Sequence, residues 1–245
     1  MQNSHKEHTT LISVASLLAD AIEHYGLDYR PIVREAGIDP DKYYGPNERL
    51  PVNRLQKIWR LAVERTGDPC FGLTYASYIQ PASLHGMGLA WLASDTLKDG
   101  LKRLVRYQRV VSTALDIQLE EENDRYHLIF RSTAYTAQPV PASIEAMLAS
   151  FFRMCRITAG PDIRPMDVMF SHDNPGCAKR LEQFFDSQVG FSAKDNRIVF
   201  DKSVLESPLS SAHPELARVN DMMCHRLPQT FRQERYCNSG KGANY

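Results

Sequence analysis

The chain has 245 residues, 43% of them hydrophobic and 24% charged, with 29 Lys and Arg against 29 Asp and Glu. That length suits one large domain or two small ones and can bury roughly 70% of the surface the unfolded chain exposes. The charge balance argues against this chain alone gripping nucleic acid, which needs a basic surplus on one face. No long uninterrupted apolar run is present, so a membrane partner is excluded, and the polar start "MQNSHKEHTT" has no signal core; a cytoplasmic chain is expected. Cys70, Cys155, Cys177, Cys224 and Cys237 are odd in number, widely spaced and never C-x-x-C, which predicts reduced, mostly buried thiols rather than a zinc site or a disulfide framework.

Residues 1–10 read as a polar, disordered tail. A helix is expected from Leu11 to about Tyr25, with Val14, Leu17, Leu18, Ala21 and Ile22 on its apolar stripe and Gly26 ending it. Pro31 opens a short helix closed by Gly37, and "IDPDKYYGPNER", with Tyr43 and Tyr44, reads as a loop. Pro51 opens a helix with Val52, Leu55, Ile58, Trp59, Ala62 and Val63 on one face, ending near Gly67; a short helix over about Cys70 to Tyr78 follows. The stretch from Gly86 to Ser112 reads as a short apolar helix, a turn at Asp95 and Thr96, and a longer amphipathic helix. Leu97, Leu101, Leu104, Val105 and Val111 share its inner face, with Lys98, Lys102, Arg103, Arg106 and Arg109 mostly away from it.

A hairpin comes next, with Leu115, Ile117 and Leu119 on one face of the first strand and Tyr126 to Arg131 as the return. Pro141 opens a strongly patterned helix carrying Ile144, Met147, Leu148, Phe151, Phe152 and Cys155, stopped by Gly160 and Pro161. Strands are expected at Asp167 to Phe170 and Arg197 to Asp201, with a helix at Ala178 to Phe185 between them. "SPLSSAHP" reads as a linker, Pro214 opens a last helix to about Arg226, and the rest is a polar tail. The class is α+β: a helical N-terminal layer, then a small antiparallel four-stranded sheet with packing helices.

Chemistry-bearing patterns are sparse. There is no G-x-G-x-x-G, Walker loop, G-x-S-x-G or H-E-x-x-H. "GMG" at Gly86 to Gly88 follows no strand, which points to close helix packing rather than a phosphate cradle. His85 could contact a ligand or haem iron, or simply cap its helix. His172 and Asp173 could form a base and its orienter, but Pro175 and Gly176 explain the same residues as a turn. Cys155 falls on the apolar stripe and reads as core. The basic face of Lys98, Lys102, Arg106 and Arg109 reads as a solvated helix face or a contact for an acidic partner. Trp91, Phe151 and Phe152 read as core or as the lining of a cavity. No catalytic residue, metal ligand or cofactor is assigned, and binding is favoured over catalysis.

The segment "LHGMGLAWLASDTLKDGLKRLVRYQRVVS" resembles a signature of AraC/XylS-type bacterial transcription regulators, in the N-terminal arabinose-binding type of domain. Gly86, Gly88, Leu89, Ser94, Thr96, Leu97, Leu101, Leu104, Tyr107 and Ser112 carry the match, and Gly100 stands where Ala is usual. "GDPCFGL" and "RLEQFFDSQVGFSAKDNRIVFDKSVLESPL" are similar to further segments of that family. The resemblance implies an effector-sensing and dimerisation domain over residues 11–207, a linker helix and tail over 208–245, and DNA contact only through a C-terminal helix-turn-helix domain that is expected to be absent here. On that basis the ligand pocket is expected around His85, Met87, Trp91, Tyr107 and Phe151, and the homodimer contact at Arg106 and Arg109. A small, partly apolar metabolite or a fatty acid fits at least as well as a sugar. The alternatives are a module that only dimerises, and an enzyme or haem sensor using His172 with Asp173, or His85.

Overall fold

The computed structural model describes residues 7–42, 48–133 and 139–226. Tyr43, Tyr44, Cys237, the first six residues and the polar C-terminal tail lie outside the described residues.

The chain begins with a strand, not a helix: β1 (Thr9–Leu11) pairs antiparallel with β2 (Arg49–Pro51). Thr9 and Thr10, assigned above to the tail, are therefore ladder residues. The Arg49 guanidinium fixes this corner, donating to the Thr9 hydroxyl and carbonyl and to the Val110 carbonyl at 2.6–3.0 Å. Burial lowers its pKa to about 10. The expected helix from Leu11 to Tyr25 is split at Ser16 into α1 (Ile12–Ala15) and α2 (Leu17–Glu23).

The helical layer continues with α3 (Tyr29–Glu35), whose first turn is capped by Asp28 accepting from the Arg30 N–H, then α4 (Val52–Thr66) and α5 (Phe71–Ser77). In α6 (His85–Leu92) and α7 (Leu97–Val111) the expected helix–turn–helix order holds, and Thr96 caps α7 by accepting from the Asp99 N–H. The inner face of α7 is Leu97, Leu101, Leu104, Tyr107 and Val111, with Val105 only half-buried.

The second half is a mixed sheet of five strands in the order β3 (Leu115–Glu122), β4 (Arg125–Ser132), β7 (Asn196–Asp201), β5 (Asp167–Met169), β6 (Val189–Gly190). The four expected strands pair antiparallel. The fifth, β6, runs parallel to β5, which corrects the four-stranded antiparallel sheet; two residues are too few to show a strand period in sequence. The long α8 (Pro141–Ala159) lies between sheet and helical layer and is flanked by α9 (Ala178–Phe185), while the short α10 (Lys202–Glu206) packs on α7 and on β4 and β7. Around α8, Phe152 meets Phe184, Phe185 and Phe200. The last helix, α11 (Pro214–Arg226), packs on α6 through Ala217, Asn220 and Cys224, and Arg103 of α7 pairs with its Asp221 at 3.2 Å. No helix among the described residues is long and apolar enough to cross a membrane.

Cys70 and Cys177, 107 residues apart, are joined by a disulfide. This overturns the expectation of reduced thiols throughout: the fold brings the starts of α5 and α9 together, which spacing alone does not reveal. Cys155 and Cys224 are free and buried, and burial raises their thiols to about 12 and about 11. A cross-link closing so long a loop restricts the unfolded chain, so Cys70→Ser with Cys177→Ser is expected to lose about 2–4 kcal/mol. Urea unfolding of both forms checks this, and added phosphine should lower only the wild-type midpoint.

Candidate functional site

A cavity of about 160 Å³ opens where the helical layer meets the sheet. Its helical wall is Leu18 of α2, Leu55 and Trp59 of α4, and Tyr75 of α5. Its other walls are Phe130 of β4 and, from α8, Ile144, Met147, Phe151 and Met154, which recur at helical spacing. An apolar cavity of roughly 150 Å³ holds a molecule the size of benzene. Two aromatic pairs belong to the lining, Trp59 with Tyr75 at 5.0 Å and Phe130 with Phe151 at 5.5 Å between ring centroids.

Most polar groups on the lining are already occupied. The Gln56 carbonyl accepts from the Val140 N–H and the Ser143 hydroxyl, Tyr75 donates to the Val14 carbonyl, and the Thr10 and Ser112 hydroxyls share a hydrogen bond. Burial also pushes the Tyr75 phenol well up, so it stays neutral. Arg131, at an exposed edge, donates to Gln118 at 2.6 Å. Among the described residues, no Asp or Glu lines the cavity.

The exception is Ser150, 7% exposed, whose hydroxyl has no partner. Serine and threonine inside helices usually bond back to the preceding turn. Along α8, Ser143 does so to Val140 and Thr158 to Met154. An unsatisfied buried hydroxyl costs about 1–3 kcal/mol.

Of the residues expected around a ligand, only Phe151 lines the cavity. Trp91 lies behind it, its ring parallel to Phe151 at 6.3 Å. A Cβ on Gly100 would come within 2.9 Å of the Trp91 ring, which accounts for glycine where alanine is usual. Met87 and Tyr107 are buried in the core away from the cavity lining. His85 sits at φ 53°, its Nε2 2.9 Å from the Ser13 hydroxyl, and burial lowers its pKa. Arg106 and Arg109 are exposed on α7, with the Arg106 guanidinium 5.9 Å from the Tyr107 ring centre.

His172 and Asp173 do not form a base with a carboxylate orienter. The His172 Nδ1–H donates to the Asp173 backbone carbonyl at 2.8 Å, while the Asp173 carboxylate accepts from Ser192. His172 Nε2 instead faces Glu145, near the N-terminus of α8, at 3.7 Å. That distance falls within ion-pair range, yet burial raises the Glu145 carboxyl to about 8 and lowers the imidazole. Both groups are therefore neutral near pH 7, and the contact is not an ion pair. Sequence reasoning passed over Ser150, Gln56 and Glu145. The available signal was a serine and a glutamate inside the otherwise apolar run of α8.

The family model for the arabinose-binding domain of AraC transcription regulators, N-terminal, matches residues 26–209. The chain belongs to this family. The AraC-type domain is 23% identical over 225 residues to the ornithine utilization regulator of Pseudomonas aeruginosa, covering 90% of this chain and 65% of that protein. The crystal structure of the transcriptional regulator CdpR from the same organism shares the fold, with a TM-score of 0.59 at 15% identity over 82% of this chain and 60% of CdpR. The AraC-type domain thus spans between 60% and 65% of the length of these relatives.

Proposed function

We propose that the AraC-type domain senses a small-molecule effector in the cavity between helical layer and sheet, and that the complete regulator alters transcription in response, in the cytoplasm and without catalysis. The carrying observation is an apolar cavity whose lining includes one unpartnered buried hydroxyl, Ser150. Because α8 touches both halves, a ligand that favours one arrangement of α8 against the helical layer shifts the equilibrium between two states. DNA contact belongs to the helix-turn-helix part of the regulator. The domain's family name points to a sugar and the relative's name to ornithine. Among the described residues, the lining offers no carboxylate for ammonium groups and few free polar groups for a sugar.

A panel containing L-arabinose, L-ornithine, octanoate and p-cresol tests this by thermal shift on wild type and Met147→Lys. Met147 is partly buried on the cavity wall, so a lysine there places an ammonium among the lining side chains. A compound that raises the melting temperature of wild type is expected to lose most of that effect in the variant. A stabilising compound whose effect is undiminished in Met147→Lys would remove the site from this cavity.

The homodimer contact is placed, on this reading, on the exposed face of α7 at Arg106 and Arg109, supported by the exposure of both side chains. Arg106→Glu with Arg109→Glu is expected to turn a dimer into a folded monomer in light scattering. A dimer that survives this change but is lost in Val219→Asp would transfer the contact to the exposed stripe of Leu216, Val219 and Met223 on α11.

A further inference from the structure

We infer that the effector is a compact, uncharged molecule with a flat apolar body and one hydrogen-bonding group, and that this group meets the Ser150 hydroxyl. The inference rests on the sensor reading and narrows it to a chemical class. Three independent features converge on it.

The first is size. A cavity of about 160 Å³ is on the scale of a single benzene ring with a small substituent reaching its mouth. The second is the character of the walls. Trp59 with Tyr75 and Phe130 with Phe151 present aromatic surface, and Met147 and Met154 add polarisable side chains that adapt to a ring. The third is the polar inventory. The Gln56 carbonyl and the Tyr75, Thr10 and Ser112 hydroxyls have hydrogen bonds within the protein, whereas the Ser150 hydroxyl does not. A hydroxyl both donates and accepts, so it can serve a phenol, an alcohol or a carbonyl. A zwitterionic or cationic ligand would leave its charges among apolar side chains, with Arg131 the sole charged residue on the lining among the described residues. A sugar would leave most of its hydroxyls unpaired.

Toluene and p-cresol, which differ by one hydroxyl, make the test direct. Calorimetric titrations are run on wild type and on Ser150→Ala, an exchange that suits a helix interior and removes only the hydroxyl. Both probes are expected to bind wild type. In Ser150→Ala, p-cresol is expected to lose about five- to tenfold in affinity while toluene is unchanged or gains. Equal changes for the two probes would overturn the role of Ser150. If neither probe binds wild type while L-arabinose or L-ornithine does, the chemical class is wrong and the sensor reading stands. If all four leave the protein untouched, both fail.

Discussion

Gly88→Ala is expected to cost about 3–5 kcal/mol of stability, at or beyond the upper end for overpacking a core. A Cβ built on Gly88 would lie 1.9 Å from the Pro81 carbonyl oxygen and 2.7 Å from its carbon. Those are backbone atoms, held where Gln80 and Ser83 close the turn before α6, so no side-chain rotation relieves the clash. Gly86, two residues earlier in the same helix, is the control. A Cβ there meets its nearest atoms at 3.4 Å, and the buried face of α11 lies opposite. Gly86→Ala is therefore expected to leave stability within about 1 kcal/mol, with helix propensity offsetting tight contact. Urea unfolding of the two variants separates them. Equal losses would mean that the glycines act through something other than the approach of α6 to Pro81.

Stability is also expected to fall as pH rises from about 5 to above 8, and Glu145 is the reason. Its carboxyl titrates near 4.5 when unfolded and near 8 when folded, raised first by burial and then by the charge of Asp68, with Arg180 acting the other way. The folded state thus holds a proton that the unfolded state has released. The associated stability is fully present below about pH 4.5 and is lost as pH climbs through 8. That gap amounts to on the order of 5 kcal/mol. His172 works in the opposite sense: its lowered pKa removes stability as pH falls through 6.5. The clean window for Glu145 is therefore pH 6.5 to 8.5. Glu145→Gln should flatten the slope of melting temperature there and be the more stable protein at pH 8.5. A slope unchanged by Glu145→Gln would place the titrating group elsewhere.

The sequence was most legible where a start signal and a long period coincide. Pro141 with the repeat through Cys155 predicts α8 closely, and Pro214 does the same for α11. The α+β class and the order of the longer elements follow from such segments, while the family follows from the resemblance carried by Gly86 to Ser112. The β1–β2 pair was hidden because each strand has three residues and its anchors, Arg49 and Ser112, come from distant parts of the chain. The disulfide and β6 were hidden for the same reason.

The ligand residues were harder still. Trp91, Met87 and Tyr107 have the composition of a pocket wall, but apolar side chains on the inner face of a helix look the same whether they meet one another or a void. Here Trp91 fills the space left by Gly100, and the void lies on the other side of Phe151. What marks the cavity is a polar residue with nothing to bond, and partnership is a property of the fold.

The central claim, that ligands occupy the space between α8 and the helical layer, is most directly tested by NMR of methyl-labelled methionine during titration with p-cresol. Met147 and Met154 line the cavity, while Met166, Met222 and Met223 are exposed and do not belong to its lining. The account predicts saturable shifts at Met147 and Met154 with Met166, Met222 and Met223 unmoved. Saturable shifts confined to the methionines of α11, with Met147 and Met154 silent, would contradict it.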